Sequence, residues 1–259
     1  NVGGFEKGKE TLKKVMDTLP SLKGLCLSTT SYGWVDLSYC AKRGIRVCNI
    51  PGYSRESVAE HSFTLLLCLA KRILVTDRKT QKGEYTLEKG FELAGKTLGI
   101  VGLGNIGSRV AELGLGFGMK VIAYNRSAKK QKGVEMKSLK EVLKESDAIS
   151  LNLKDCSQTE GIIGAKELKM TKKGMIMVNT ADRALVDEIA MAKFLKSDKI
   201  YGYAFEGQDL EHGPLVGIEN AIGLKGFGWY TKEALENLFE IWVENIVGLV
   251  NGRPQNEVS

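Results

Sequence analysis

Short apolar runs alternate with amphipathic stretches along almost the whole chain. The opening predicts a helix over 11–19, stopped by Pro20, which lacks an N–H and clashes with the preceding turn. A strand over 24–28 and a turn at 29–33 follow. Asp36 is placed to cap the next helix, which ends near Gly44, and 45–50 makes a second short strand before the Pro51-Gly52 turn. From Ser54 the pattern changes. Capped by Ser54 or Ser57, a helix over 57–73 carries Val58, Phe63, Leu66, Leu67, Ala70 and Ile73 nearly all round, as expected of a helix buried between layers or subunits. A polar hinge over 79–92 leads into strand 98–102. Helices 106–117, 138–145, 165–169 and 187–196 then alternate with strands 120–124, 148–153, 175–179 and 200–204. A loop rich in Gly, Asp and Glu (207–219), a short last strand, and an amphipathic helix from Thr231 to about Val250, closed by Gly252 and Pro254, complete the chain. Strict alternation requires parallel sheets, because each crossover returns the chain to the same end; the fold class is α/β.

Composition narrows the class. The 259 residues are 43% hydrophobic and 26% charged, with a net charge of +6, ordinary for a soluble chain long enough to bury one large core or two smaller ones. Lysines interleave with glutamates, as over 137–145, in the manner of solvated helix faces. The compact basic stretch from Arg126 to Lys132 comes with no docking motif or aromatic platform, so nucleic acid is not an expected partner. Cys26, Cys40, Cys48, Cys68 and Cys156 show neither C-x-x-C nor metal-ligand spacing. That argues against a disulfide framework or a metal site and for a reduced, cytoplasmic protein. No apolar run reaches the ~18 residues of a membrane span, so no membrane association is expected. A first residue of Asn suggests a cut or renumbered N-terminus.

Chemistry enters at Gly102-Leu-Gly-Asn-Ile-Gly107. A G-x-G-x-x-G run alone carries little weight, but this one follows an apolar strand and opens a helix, the context of a Rossmann dinucleotide-binding turn. Gly102 permits the tight turn, Gly104 lets the backbone approach a pyrophosphate, and Gly107 lets helix and strand pack closely, with Asn105 and Ile106 in the helical turn that faces the phosphates. About 20 residues on, where an acidic residue would bind the ribose hydroxyls of NAD, stands Asn125, followed by Arg126 and Ser127, with Lys129 and Lys130 beyond. A carboxylate that would repel a 2′-phosphate is gone and cations are at hand to hold one, so NADP(H) is expected over NAD(H); alternatively, Arg126 only stacks on adenine. Thr159 and Ala181 complete the candidate cofactor contacts.

Four blocks resemble the D-2-hydroxyacid dehydrogenase family: Asn49-Ile-Pro-Gly-Tyr-Ser-Arg-Glu-Ser-Val-Ala-Glu-His61, Gly95-Lys-Thr-Leu-Gly-Ile-Val-Gly-Leu-Gly-Asn-Ile-Gly107, Ser146-Asp-Ala-Ile-Ser150 and Leu185-Val-Asp-Glu188. The resemblance implies two Rossmann-like parallel-sheet domains with a cleft between them. Residues 1–54 and 230–259 would form the substrate domain, N-terminally shortened and rejoined by the last helix, and 55–229 the dinucleotide-binding domain. It also implies a homodimer paired through the cofactor domain, with helix 57–73 as the dimerisation element.

The resemblance further implies an Arg that pairs the substrate carboxylate, a His that exchanges a proton with the reacting oxygen, and a Glu that raises the pKa of that His. Each of these positions is changed here. The Arg position of an Asn-Thr-Ala-Arg-Gly block holds Asp182, with Arg183 one residue late. Arg183 either reaches the cleft or is a surface arginine; Asp182 either suits a cationic or neutral substrate or caps a helix. Gln208 takes the Glu position and cannot tune a histidine by charge, while Glu206 is expected to face solvent and Tyr203 replaces an Asp beside the nicotinamide. Gly226 takes the His position, next to Lys225, which would donate a proton if desolvation lowered its pKa. His61 reads as structural and His212 as an exposed loop residue. Ser31 replaces a glycine of the carboxylate-binding turn, and Asn152 and Lys154 replace a His and a Pro near the cofactor. Two functions follow. One is an NAD(P)-dependent oxidoreductase on an unknown, atypical small molecule, with Arg183, Glu206, Lys225 or Tyr230 as candidate catalytic groups. The other is an inactive dinucleotide-binding protein that senses NADP(H) or scaffolds a partner.

Overall fold

The computed structural model describes residues 8–154, 156–208 and 210–258. Its elements in chain order begin with α1 (Lys9–Asp17), β1 (Gly24–Cys26), α2 (Leu37–Lys42), β2 (Arg46–Cys48), α3 (Arg55–Ala70) and α4 (Ile73–Gln81). Next come β3 (Thr97–Val101), α5 (Asn105–Gly116), β4 (Lys120–Tyr124), β5 (Val134–Met136), α6 (Leu139–Glu145) and β6 (Ala148–Leu151). The last are α7 (Ala165–Met170), β7 (Met175–Asn179), α8 (Glu188–Lys196), β8 (Ile200–Gly207), β9 (Ala221–Lys225) and α9 (Lys232–Val250). The chain divides into two units, 1–54 with 230–259, and 55–229.

In the first unit β1 and β2 pair in parallel, from Gly24 opposite Arg46 to Cys26 opposite Cys48. The Asp36 side chain caps α2 by accepting from the Tyr39 N–H at 3.0 Å. Leu12, Met16, Leu27, Val35, Cys40 and Val47 form the core. The C-terminal helix α9 belongs to this unit: Trp242 Nε1 donates to the Cys26 carbonyl, and buried Asn245 donates to the Asn49 carbonyl at 2.8 Å and accepts from Asn256. A buried amide satisfied on both sides fixes the seating of that helix, because any other seating would strand it without partners.

The second unit is built on a seven-stranded parallel sheet in the order β5-β4-β3-β6-β7-β8-β9. Strands β6 and β7 are buried at every residue, as a sheet covered by helices on both faces demands. One face packs Val142, Leu143, Leu168, Met191 and Leu195 from the flanking helices, and the other packs Phe63, Leu66, Leu69, Val110 and Ala111. Strand order reverses between β3 and β6, so the crevice at the carboxyl ends of these strands is the topological switch point where ligands of such sheets bind.

Strands β1, β2 and β6 are shorter than expected and α1 lies two residues earlier; three larger differences reshape the second unit. The helix expected over 57–73 is two helices: Arg72 takes a left-handed conformation (φ 54°) between α3 and α4, and ion pairs from its guanidinium to Glu88 and Glu219 hold it there. Helix α4 therefore takes up the start of the expected hinge. Strand β5 is a three-residue edge strand around a polar Glu135, too short to show a period. Strand β8 runs on to Gly207, three residues beyond the expected end, and this extension relocates Glu206.

Candidate functional site

The glycine turn sits where β3 hands over to α5. Gly102 has φ 98°, and its N–H donates to the Tyr124 carbonyl at 2.8 Å, which ties the turn to the end of β4. A Cβ on Gly107 would lie 2.0 Å from the Gly102 carbonyl oxygen, so only glycine allows this approach of helix to strand. A Cβ on Gly104 would meet nothing within 4 Å. The chain therefore has no steric need for glycine at 104, and the open space above it is where a pyrophosphate would come against the backbone. Gly104 is the N-cap of α5, and no side chain caps the helix. The N–H groups of Asn105, Ile106 and Gly107, in the first turn of a 12-residue helix, are thus available to an anion and reinforced by the helix dipole.

Asn125, at the end of β4, links this turn to the next segment. Its Oδ1 accepts from the Leu103 N–H at 3.1 Å, and its Nδ2 donates to the carbonyl and hydroxyl of Ser127 at 2.9 and 3.0 Å. Arg126 is exposed and donates to Gln158 Oε1. Thr159 Oγ1 accepts from the Cys156 N–H and donates to the Lys154 carbonyl, and the Arg126–Gln158 bond sets 125–127 against 156–159; Lys129 and Lys130 are exposed. The Cys156 thiol is held below its ordinary pKa, chiefly by the Thr159 hydroxyl, with the Gln158 backbone and the Arg126 charge acting in the same direction. Nothing in the sequence pattern marked Cys156 for this place. At the end of β6, Asn152 Nδ2 donates to Ser150, while Asn152 Oδ1 is buried without a partner. An orphaned buried acceptor at the switch point, together with the open Gly104 cradle, fits a dinucleotide. The Ala181 N–H donates to Asn179 Oδ1.

At the carboxyl ends of β7 to β9 the candidate catalytic groups separate. Asp182 Oδ1 accepts from the Ala184 N–H at 2.9 Å and caps the short 3-10 turn Arg183–Leu185. Arg183 is neither a surface cation nor an isolated one. Its Nε and one Nη each donate to Glu188 at 2.7 Å, the other Nη donates to the Gln208 carbonyl, and the guanidinium lies over the Phe205 ring. Lys225 ends β9 with an exposed side chain, so it lacks the desolvation its proposed role required. Tyr203 is fully buried; Asn179 Nδ2 donates to its hydroxyl, and burial pushes the phenol far up.

Glu206 does not face solvent; it is 8% exposed. Its Oε1 accepts from the backbone N–H groups of Phe227 (3.0 Å) and Gly228 (2.8 Å) and lies 3.2 Å from His61 Nε2, though not aligned for a hydrogen bond. The reason is the extension of β8: residues 203 and 205 face one side of the sheet, so 206 faces the other, towards α3. His61 meets Phe227 edge-on at 5.0 Å, and Ser57 Oγ donates to the Gly228 carbonyl. A Cβ at Gly228 would come within 2.8 Å of the His61 ring and 3.1 Å of Glu206, so the missing side chain lets imidazole and carboxylate share this corner. The sequence pattern marks Glu206 as a candidate catalytic group expected in solvent and His61 as structural, and does not pair them; the glycine at 228 is the available signal. The other histidine, His212, is exposed.

Among the described residues no group of three or more His, Cys, Asp or Glu is arranged to hold a metal ion, and no helix is long and apolar enough to cross a membrane.

Comparison with known proteins agrees with this architecture. Residues 63–224 match the family described as D-isomer specific 2-hydroxyacid dehydrogenase, NAD binding domain. A glyoxylate reductase of Thermococcus litoralis is 35% identical over 95% of this chain and 80% of its own length, and a glycerate dehydrogenase of Methylorubrum extorquens is 32% identical over 96% and 81%. Among solved structures, an acyclic imino acid reductase in complex with NADPH and D-Arg is 34% identical with a TM-score of 0.87, covering 95% of this chain and 82% of that one. With a parallel sheet, a glycine turn and an open helix N-terminus at its switch point, the chain belongs to the NAD-binding D-2-hydroxyacid dehydrogenase family of oxidoreductases.

Proposed function

We propose that the chain is a dinucleotide-dependent oxidoreductase that prefers NADP(H) and acts on a substrate other than a simple 2-oxo acid. The observation that carries this reading is the contrast within one sheet edge. The cofactor cradle is intact at Gly104 and the start of α5, while Asp182, Gln208 and Gly226 stand where substrate-binding and proton-transfer groups would be expected. A bound nicotinamide would supply the hydride. The chain's part is to hold the pyrophosphate on α5, to meet a 2′-phosphate with Arg126, Ser127, Lys129 and Lys130, and to leave no carboxylate at 125 against it. Asp182 keeps one carboxylate oxygen beyond its cap bond and favours a neutral or cationic substrate. The solved relative bound to NADPH and D-Arg is consistent with both preferences. We also take the protein to work as a cytoplasmic homodimer paired through α3, which light scattering tests.

Fluorescence titration with NADPH and NADH, followed by a panel of oxo, hydroxy, imino and amino compounds, tests the proposal. NADPH binds more tightly, and turnover is found outside the 2-oxo acids. Tighter NADH binding overturns the cofactor preference, and ordinary 2-oxo acid reduction overturns the substrate reading. Binding without turnover across the panel selects the second reading, an inactive dinucleotide-binding protein. That reading is favoured by Arg183 being committed to Glu188 and by Lys225 being exposed.

A further inference from the structure

Beyond the switch point, the second unit contains a cavity of about 470 Å³ at the edge of the sheet, bounded by α4, strands β8 and β9, and the 210–219 loop. This is within the size range of small-molecule sites. Its floor is apolar: Val75, Phe205, Leu215 and Ala221 are each less than a tenth exposed. Gly223 contributes no side chain, and a Cβ there would press on Phe205 at 3.0 Å, so the floor stays open over the ring. Val216, at the mouth, is 56% exposed.

The rim is cationic. Helical spacing places Val75, Arg78, Lys79 and Lys82 on one face of α4 and at its C-cap, all lining the cavity. Lys79 is committed to Glu88 and Glu219, and Arg183 to Glu188. Arg78 and Lys82 have no ion pair among the described residues. His212 stands on the opposite rim. The carboxylates that line the cavity are Glu84 and Glu219, and Glu219 is already shared by Arg72 and Lys79. Two uncommitted cations above an apolar floor match a ligand with an anionic head and an apolar body.

We infer that this cavity binds an amphiphilic organic anion, a carboxylate or phosphate monoester carrying an alkyl or aryl group, at a site separate from the glycine turn. The head pairs with Arg78 and Lys82, and the body covers Phe205 and Leu215. Such a site combines the non-directional gain of apolar burial with charge-assisted hydrogen bonds that select the sign of the head.

Octanoate, octan-1-ol and octylamine, used below their aggregation limits, test the inference by calorimetry and by NMR of the two histidines. Octanoate binds at least tenfold more tightly than the alcohol or the amine and shifts the His212 ring signals while leaving those of His61 in place. The double variant Arg78→Glu, Lys82→Glu loses at least tenfold in octanoate affinity while keeping its affinity for NADPH, which shows that it is folded. Equal binding of the three probes, an unchanged double variant, or competition between octanoate and NADPH overturns the inference. Octanoate affinity that falls as protein concentration rises would also overturn it, since a second copy would then fill the cavity. None of these outcomes depends on finding a turnover substrate.

Discussion

Alanine at Gly104 and at Gly107 separates the two services a glycine turn can perform. At 107 the added Cβ would be 2.0 Å from the Gly102 carbonyl oxygen, an ångström inside the 3.0 Å that real Cβ atoms respect. The obstacle is backbone, and it is tethered, since the Gly102 N–H is bonded to Tyr124. An overlap this deep falls at the upper end of the ~1–3 kcal/mol cost of overpacking. Alanine recovers ~1 kcal/mol of helix propensity, so Gly107→Ala is expected to lose about 2 kcal/mol of stability. At 104 the backbone angles, φ −83° and ψ −162°, are open to alanine, and no atom lies within 4 Å of the new methyl. Alanine is the poorer N-cap by roughly 0.5–1 kcal/mol, but it restricts the unfolded chain by about 0.4–1 kcal/mol, and the two nearly cancel. Gly104→Ala should therefore unfold in urea with the midpoint and slope of the parent, yet bind NADPH at least tenfold more weakly, about 1.4 kcal/mol. Parental NADPH affinity in a folded Gly104→Ala protein would refute the placement of the pyrophosphate at this turn. Destabilisation by Gly104→Ala as large as that by Gly107→Ala would refute the steric account.

Three further measurements reach other parts of the molecule. Glu206→Ala strips two backbone N–H groups of a charged acceptor, each such bond being worth ~1.5–3 kcal/mol. The urea midpoint should fall by the equivalent of roughly 3–5 kcal/mol, whereas Glu206→Gln keeps an acceptor oxygen and loses less than half of that; an alanine variant within ~1 kcal/mol of the parent contradicts the anchoring role. Cysteine alkylation near neutral pH should modify exposed Cys156 first, because its thiol is held low, and Cys26 late, because burial pushes its thiol up to about 11 and only the thiolate reacts; mass spectrometry finding Cys26 labelled first would overturn this order. The Asp36 carboxyl is lowered by the Ser38 hydroxyl and the Tyr39 N–H. Its contribution is thus complete above the unfolded pKa and is lost as pH falls through the folded one, so Asp36→Asn should lower the urea midpoint at neutral pH and flatten the acid limb below pH 3.8, the two proteins converging in acid; an equal gap at both ends of the pH range contradicts this.

Much of this molecule can be read from its sequence because period and punctuation agree. Apolar runs bounded by glycine gave β3, β4 and β7 to within a residue, Asp36 caps the helix it was expected to cap, and the last helix begins at Thr231, which is its N-cap. The glycine turn was legible because its neighbours on both sides carry the strand and helix signals that give a short motif meaning. Arg72 was not legible as a break, since nothing in a run of helix-compatible residues announces a left-handed arginine; distant Glu88 and Glu219 impose it. The fate of Arg183 was equally hidden, because its partner Glu188 is five residues away across a helix cap.

The corner formed by His61, Glu206 and Gly228 shows what single positions cannot reveal. Taken singly, a histidine in a buried helix is structural, a glutamate after a strand is exposed, and a glycine in a loop is permissive. Strand length decides the one of these that fails, the glutamate. With β8 ending at 204, position 206 is in a loop and its side chain is unconstrained. With β8 running to Gly207, alternation forces 206 onto the α3 face, where a carboxylate must find donors or remain uncharged. The donors are the N–H groups of Phe227 and Gly228, so Glu206 fixes the backbone one residue after Gly226, which carries no side chain at this sheet edge. The loop that follows Gly226 is therefore held at its backbone. The same strand end that lacks a free carboxylate at Gln208 has one at Glu206, spent on holding the backbone. Under the proposed function, a substrate accepted at this edge would meet a backbone anchored by Glu206 and an open space at Gly226, which favours selection by shape over acid-base chemistry from that position.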